Sequence, residues 1–334
     1  MFESFPVILW SAVFLDLLFG DPRWFPHPVR LIGGLAVRLE TWTRRLPLSA
    51  RGSGCLTVAL VLLSTAATVL LICLFLRRLS PAALSGGAVC ILYTTIAARD
   101  LVRHAQAVHD SLGLDLDQAR RAVSMIVGRD TDSLDEAGIV RACVESVAEN
   151  LSDGIIAPLF WAVVGAVAAL PAGGDWPVIC GVCAAMVYKG INTMDSMFGY
   201  KNEQYRRFGT CAARLDDAAN FFPARLSGLA IVAAAPLCGA DRRRAWQVLR
   251  RDHARHASPN AGWPEAAMAG ALGLQLGGES RYFGTLSVKP LLGENIQTAV
   301  PDHIIRANVL VSAASLLCLV LVTVLFVLSR ILFS

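Results

Sequence analysis

The chain has 334 residues and a formal net charge of +4, with 55% hydrophobic and 17% charged residues and a mean hydropathy of +0.53. That is too apolar for an ordinary soluble protein, and so small a charge, with no basic stripe among aromatics, excludes nucleic acid as a partner. The apolar runs alternate with the polar motifs, so positions 1–334 read as a single integral membrane domain rather than two soluble ones.

The first residues, MFESFPVILW, carry no basic stretch and no small-residue cleavage site, so no removable signal peptide is expected. Six runs predict membrane-crossing helices: Phe5–Phe19, Cys55–Leu76, Ala82–Ala98, Ile155–Leu170, Val178–Met197 and Asn308–Ser329. A span needs about 20 apolar residues, so the first, third and fourth require tilt or amphipathic extension. A seventh run, Leu226–Ala240, is broken by Pro236 and is expected to dip in and return, or to lie buried in protein. Arg99–Asn150 reads as amphipathic helices, one starting at Asp130–Ala137, where DTDSLDEA supplies capping and acidic first-turn residues. The expected fold is all-α: a polytopic integral membrane helical bundle with about six spans, its cytoplasmic polar loops forming the site. Placing those loops inside puts 26 of the 30 Lys and Arg on one side, as the positive-inside bias requires. This predicts a multi-pass protein of the cell (inner) membrane with its site facing the cytoplasm.

Four polar blocks carry the chemistry. The first, Gly20–Arg30 (GDPRWFPHPVR), is stiffened by three prolines. It presents Asp21, Arg23 and His27 from a rigid frame, which suits substrate positioning, although an interfacial turn anchored by Trp24 and Phe25 explains it as well. The second, Arg141–Gly154, places Glu145, Glu149 and Asp153 on one helical face. Carboxylates so spaced repel unless a cation lies among them, and magnesium is held by a few carboxylates plus water and substrate phosphates; a solvated acidic face is the plainer alternative.

The third block runs from Tyr188 to Arg225. Lys189, Asn192 and Ser196 share a helical face beside Asp195, inside an apolar segment where an unpaired charge costs several kcal/mol. Lys201, Asn202, Tyr205, Arg206 and Arg225 follow, with the cations suited to phosphate or carboxylate. Asp216 and Asp217, one turn before Asn220, form a second candidate magnesium–phosphate site. A structural salt-bridge network is the competing explanation. In the fourth block, Arg250–Glu265, His253 and His256 lie three residues apart without the spacing of a zinc site. Ser258, Asn260 and Glu265 form a polar turn before an expected small-residue helix, Ala266–Leu276. Nine cysteines sit mostly in apolar runs, and the lone Cys180–Cys183 pair lacks the second pair of a zinc or redox site. No phosphate-loop, GxSxG or dinucleotide motif is present.

Together GDPRWFPHPVRLIG, VESVAENLSDGIIAPLFW, YKGINTMDSMFGYKNEQYRRFGTCAARLDD with ANFFPARL, and RDHARHASPNAGWPEAAMAGALG resemble the adenosylcobinamide-phosphate synthases, the CobD/CbiB family of cobalamin biosynthesis. The likeness extends from Gly20 to about Gly293. It implies a ligase that joins a carboxylate of adenosylcobyric acid, a corrinoid, to the amine of (R)-1-aminopropan-2-ol O-2-phosphate with ATP and Mg2+. On that implication Glu145, Glu149, Asp153, Asp216 and Asp217 would hold magnesium. Lys189, Lys201, Arg206 and Arg225 would hold phosphates, and His27, Asp195 or His256 would serve as base. Asp21, Arg23, Asn192, Ser196, Asn202, Tyr205, Ser258, Asn260 and Glu265 would contact substrate. The implied partners are the two substrates, membrane lipid and other cobalamin-assembly enzymes. Two other readings stay open. A magnesium-dependent prenyl or phosphatidyl transferase matches NxxD at Asn192–Asp195 and DDxxN at Asp216–Asn220. A non-enzymatic sensor or transporter would instead spread polar residues along several spans.

The orientation is testable. In a cysteine-depleted background, cysteines introduced at Asn202 and Ser258 should resist an impermeant thiol reagent applied from the periplasm. Labelling of either one from that side overturns the layout.

Overall fold

The computed structural model describes residues 4–22, 27–200, 202–282 and 284–333. It is helical apart from one β-hairpin, and six of its helices are long and apolar enough to cross a membrane. The number agrees with the sequence reading, but the membership differs. Phe221–Cys238 qualifies, because the helix begins at Phe221 and gains a turn before Leu226. Phe5–Phe19 falls short of that length. The segment read as one domain, 1–334, forms two compact units. The first comprises 1–97, 157–220 and 319–334; the second comprises 98–156 and 221–318.

In the first unit, helix Pro28–Thr43 starts with the sequence His-Pro. His27 Nδ1 accepts the Val29 N–H and proline takes the first helical position, where no donor is needed. Helix Ala50–Leu79 starts from Ser49, whose hydroxyl accepts the Gly52 N–H. Ser80 does the same for the helix that Pro81 opens. The apolar side chains of Phe14, Leu63, Leu71 and Phe75 point outward, as lipid-facing surfaces do. Helix Ala157–Ala168 packs closely on helix Trp176–Phe198. A Cβ at Gly165 would lie 2.5 Å from the Cys180 carbonyl oxygen, and one at Gly181 would lie 2.7 Å from that of Ala162. Small residues at such crossings let helix backbones approach where lipid offers no hydrophobic drive.

In the second unit, helix Glu136–Leu151 takes its N-cap from Asp135, whose carboxylate accepts the Gly138 N–H. The helix then passes into a π-helical turn, Ser152–Ile156. Helices Arg242–Asp252 and Gly262–Leu272 pack together through Gly270, whose Cβ would meet the Arg244 carbonyl at 2.6 Å. The expected helix Ala266–Leu276 ends early, at Leu272, because Gly273 takes a left-handed conformation. Strands Gln275–Tyr282 and Thr285–Gly293 follow as an antiparallel hairpin with a bulge between Leu276 and Gly278. The fully buried Asp252 ties the hairpin down. It accepts the Gly293 N–H at 2.9 Å and pairs with Arg251 and Arg255.

The helix crossing gives a stability prediction. Gly165→Ala should lower the melting temperature in detergent, at a cost of about 1–3 kcal/mol from overpacking. Gly34→Ala, whose Cβ meets nothing within 4 Å, should not. Equal melting temperatures would show that the crossing is slack.

Candidate functional site

Polar side chains gather in both units. In the first, helices Trp176–Phe198 and Thr210–Ala219 bring the third block together. Tyr188, Asn192 and Asp195 recur on one face of the longer helix. The Tyr188 hydroxyl donates to Asn220 Oδ1 at 3.0 Å, and Asn220 Nδ2 donates to Asp216 Oδ2 at 3.0 Å. Asn220 is held further because the neighbouring Ala219 carbonyl accepts the Trp161 indole N–H at 3.0 Å. Burial, and then the charge of Asp195, push the Asp216 carboxyl up to about 7, with Asp217 adding a smaller part and hydrogen bonds from Asn220 and Asn192 opposing it. Asp195, which the spacing set apart from Asp216 and Asp217, thus lies near enough to act on Asp216. Lys189 on the same helix is half-buried, and Ser196 is exposed with its hydroxyl turned back to the Asn192 carbonyl.

Other expected residues of this unit lie in local structure. His27 is buried and caps its helix through Nδ1, which leaves Nε2 facing Asp21 Oδ1 at 3.2 Å. Asn202 caps a turn by accepting the Tyr205 N–H. Tyr205 packs with Phe198 and Phe208, and the Arg44 guanidinium lies 4.1 Å from the centre of the Phe208 ring. Arg206 is exposed. Arg23 and Lys201 lie outside the described residues.

The second unit gathers the second and fourth blocks around its hairpin. Glu145, almost fully buried, pairs with Arg129, accepts the Gly277 N–H at 2.8 Å and lies 4.0 Å from Lys289 Nζ. Arg129 also donates to Ser280 Oγ at 3.0 Å. Glu265 is buried as well, and burial, reinforced by the nearby carboxylates of Glu145 and Glu149, holds its carboxyl well above the usual range. Glu149 itself is solvent-accessible. His256 Nε2 lies 3.7 Å from Glu265 Oε1, and its Nδ1 accepts the Ser258 N–H at 3.0 Å. Nδ1 also lies 3.3 Å from the Ser258 carbonyl, so the tautomer decides which ring nitrogen carries the proton. Burial, then the charge of Lys289, lower the His256 pKa. Both shifts favour the uncharged forms, so burial works against an ion pair between this imidazole and carboxyl.

Ser258 Oγ accepts the N–H groups of Asn260 and Ala261, which shapes the turn below this pair; Asn260 is buried there. Asp153 sits half-buried in the π-turn. Arg225 stacks on Phe221 and Trp263 and donates to the Phe221 carbonyl. Sequence reasoning missed Arg129 and Lys289. Arg129 precedes a helix start that drew attention to the residues after it, and Lys289 acquires its neighbours only through a hairpin that helical periodicity did not announce.

Among the described residues, no three His, Cys, Asp or Glu side chains converge as a ready-made metal cage. Magnesium does not require one, since it takes one or two carboxylates and completes its shell with water and phosphate. Asp216, with the carboxylates of Asp195 and Asp217 near it, fits such a partial shell. Glu149 beside Glu145 and Glu265 fits as well.

A helical bundle of membrane-crossing length whose charged side chains meet in acid–base and carboxylate clusters carries the polarity of a functional membrane protein. The family described as CobD/Cbib protein matches residues 9–311, and the chain belongs to that CobD/CbiB family. It is 46% identical to a "Cobalamin biosynthesis protein CobD" of Desulfotalea psychrophila over 306 residues, 91% of this chain and 92% of the relative. It is also 46% identical to one of Geobacter metallireducens over 300 residues, 89% of each chain. A "Cobalamin biosynthesis protein CbiB" of Salmonella choleraesuis is 41% identical over 320 residues, 94% of this chain and 96% of the relative. No solved structure matches.

The raised Asp216 value sets a pH dependence. The folded state holds this proton more tightly than the unfolded chain does, so the contribution is present below the ordinary value of 3.8 and is lost as pH climbs to about 7. Without magnesium, the melting temperature of the wild type should fall across that window relative to Asp216→Asn, and millimolar magnesium should restore it at pH 8. Parallel curves for the two proteins would contradict the shift.

Proposed function

We propose that the chain is the cobalamin-biosynthesis ligase that forms adenosylcobinamide phosphate. It would join a carboxylate of adenosylcobyric acid to the amine of (R)-1-aminopropan-2-ol O-2-phosphate at the expense of ATP. The observation that carries this reading is the clustering of Glu145, Glu149, Glu265 and His256 with Arg129 and Lys289 in one unit, in a chain of the CobD/CbiB family. A carboxylate is a poor acyl donor, so ATP must first convert it to an acyl phosphate, with release of ADP. Attack by the amine then forms the amide and releases phosphate and one proton. Glu265 and His256 are the residues here that can relay that proton, and Lys289 and Arg129 supply positive charge where phosphoryl and carboxylate oxygens gather. Magnesium, held by Glu149 or by Asp216 and Asp217, would neutralise nucleotide phosphate charge. Asp21 and His27 form a rigid pair at the start of their helix, suited to positioning. We place these blocks at the cytoplasmic face of the cell membrane, where ATP is available.

The NxxD and DDxxN pair around Asp216 is the feature a prenyl or phosphatidyl transferase would share. Such an enzyme has no use for the His256–Glu265 pair. A strain lacking the protein separates the readings: it should fail to make cobalamin from cobyric acid and succeed from cobinamide. Rescue by cobyric acid would reject the ligase. In purified protein, Glu149→Gln should keep the fold and lose turnover by on the order of 10²-fold, as expected when a group stabilising transition-state charge is removed. Unchanged activity with normal magnesium dependence would return Glu149 to a solvated surface. Lys189→Met should likewise fold and lose catalysis, with no recovery from a second change of Asp195 to Asn. Recovery in the double variant would assign Lys189 to a buried ion pair instead.

A further inference from the structure

The first unit holds a cleft of about 420 Å3 between the start of helix Ala50–Leu79 and helix Thr210–Ala219. Arg51, Cys55, Thr210, Cys211, Arg214 and Leu215 line it. Its two walls are held close, because a Cβ on Gly54 would overlap the Phe208 carbonyl oxygen. The floor is uncharged. Leu215 packs on the core around Tyr188 and Ile191, and burial, then a hydrogen bond with Cys55, push the Cys211 thiol up to about 11. The charge sits at the open edge: Arg51 and Arg214 are both exposed, and among the described residues no carboxylate pairs with either. The cleft also has a defined depth in the membrane. From Cys55 to Leu76 the helix carries no charged residue, and these 22 residues span about 33 Å, close to the thickness of a hydrocarbon core. Arg77 and Arg78 end the stretch on one side. On the other, Arg51 lies four residues before Cys55, about 6 Å further along the axis and level with the lipid headgroups. An apolar floor at the hydrocarbon boundary, with two guanidinium groups just outside it, suits a phosphate joined to an acyl chain. A soluble phosphate would leave the floor uncovered, and a neutral lipid would leave the arginines without an anion.

We propose that this cleft binds an anionic phospholipid of the surrounding membrane, with Arg51 and Arg214 receiving the phosphodiester and Cys55, Cys211 and Leu215 the first carbons of an acyl chain. Guanidinium groups take phosphate oxygens two at a time, and cations beside a membrane surface draw anionic lipid. Helix Thr210–Ala219 also carries Asp216 and Asp217, so the lipid would steady the segment that presents them. The inference requires that the chain sit in a membrane and is independent of the ligase reading.

The test is native mass spectrometry of the purified full-length protein in a non-ionic detergent, titrated with dioctanoyl phosphatidylglycerol. Dioctanoyl phosphatidylcholine offers the same chains without net charge, and glycerol 3-phosphate offers the charge without chains. The wild type should bind phosphatidylglycerol more tightly than either. Arg51→Gln and Arg214→Gln should each weaken it by about 5-fold, the effect of one cation at an anionic lipid surface, and should leave phosphatidylcholine unchanged. Arg281→Gln removes an equal charge at an exposed position of the hairpin and should leave both lipids unchanged. Should the arginine variants of the cleft fail to fold, Cys55→Trp decides the matter, because it fills the cleft from an exposed position and should abolish the tight site. Equal affinity for the two lipids, or equally tight binding of glycerol 3-phosphate, overturns the proposal. Undiminished affinity in the double variant Arg51→Gln with Arg214→Gln, or in Cys55→Trp, does the same, as does an equal loss in Arg281→Gln.

Discussion

The interaction on which the second unit depends is the buried contact of Glu145 with Arg129 and the Gly277 N–H. A carboxylate and a guanidinium taken out of water are costly unless each finds a partner and their remaining hydrogen-bonding capacity is used. Here every requirement is met from a different element. The helix Glu136–Leu151 brings the acid, the loop before it the arginine, and the hairpin both a backbone donor and Ser280. The bulge at Leu276–Gly278 frees that donor, since Gly277 turns its N–H away from the opposite strand. Bulges commonly redirect groups in this way beside functional sites. The pair thus fixes hairpin, helix and loop together, and with them the places of Lys289 and Glu265.

Both units use buried polarity sparingly and at helix ends or irregular backbone. In the first unit a short relay, Tyr188 to Asn220 to Asp216, anchors the polar edge of an otherwise apolar helix pair. In the second, His256 and Glu265 sit where a turn passes into a helix. Burial favours the uncharged form of both groups and so works against an ion pair between them. Such arrangements cost stability in a membrane environment and persist where chemistry needs them.

Much of this was legible in the residues. The apolar runs foretold a membrane helical fold because hydropathy acts over a whole segment. Helical spacing put Glu145 and Glu149 on one face and set Asp216 and Asp217 one turn before Asn220. What spacing cannot show is how distant segments meet. The hairpin was hidden because QLGGESRY and TLSVKPLLG lack clean alternation and are interrupted by Gly277, Gly278 and Pro290. Lys289 therefore appeared isolated, and Arg129 looked like loop charge. The divisions of the chain were hidden for a related reason. Each unit is assembled from separated stretches, and linear composition carries no mark of where one core ends.

The π-helical turn Ser152–Ile156 gives the chain an unusual sensitivity to length. A π-turn amounts to one extra residue inserted in an α-helix. Deleting a single residue there would let the backbone close into ordinary helix and shift the helical phase of the next turn by about 100°, one residue's step around the axis. The turn lies at the end of a stretch of the second unit, and Ala157 opens a stretch of the first. The sequence between Leu151 and Ala157 thus acts as a phase setter. Substitutions within it can be absorbed locally, whereas a one-residue gain or loss changes the helical phase between Leu151 and Ala157.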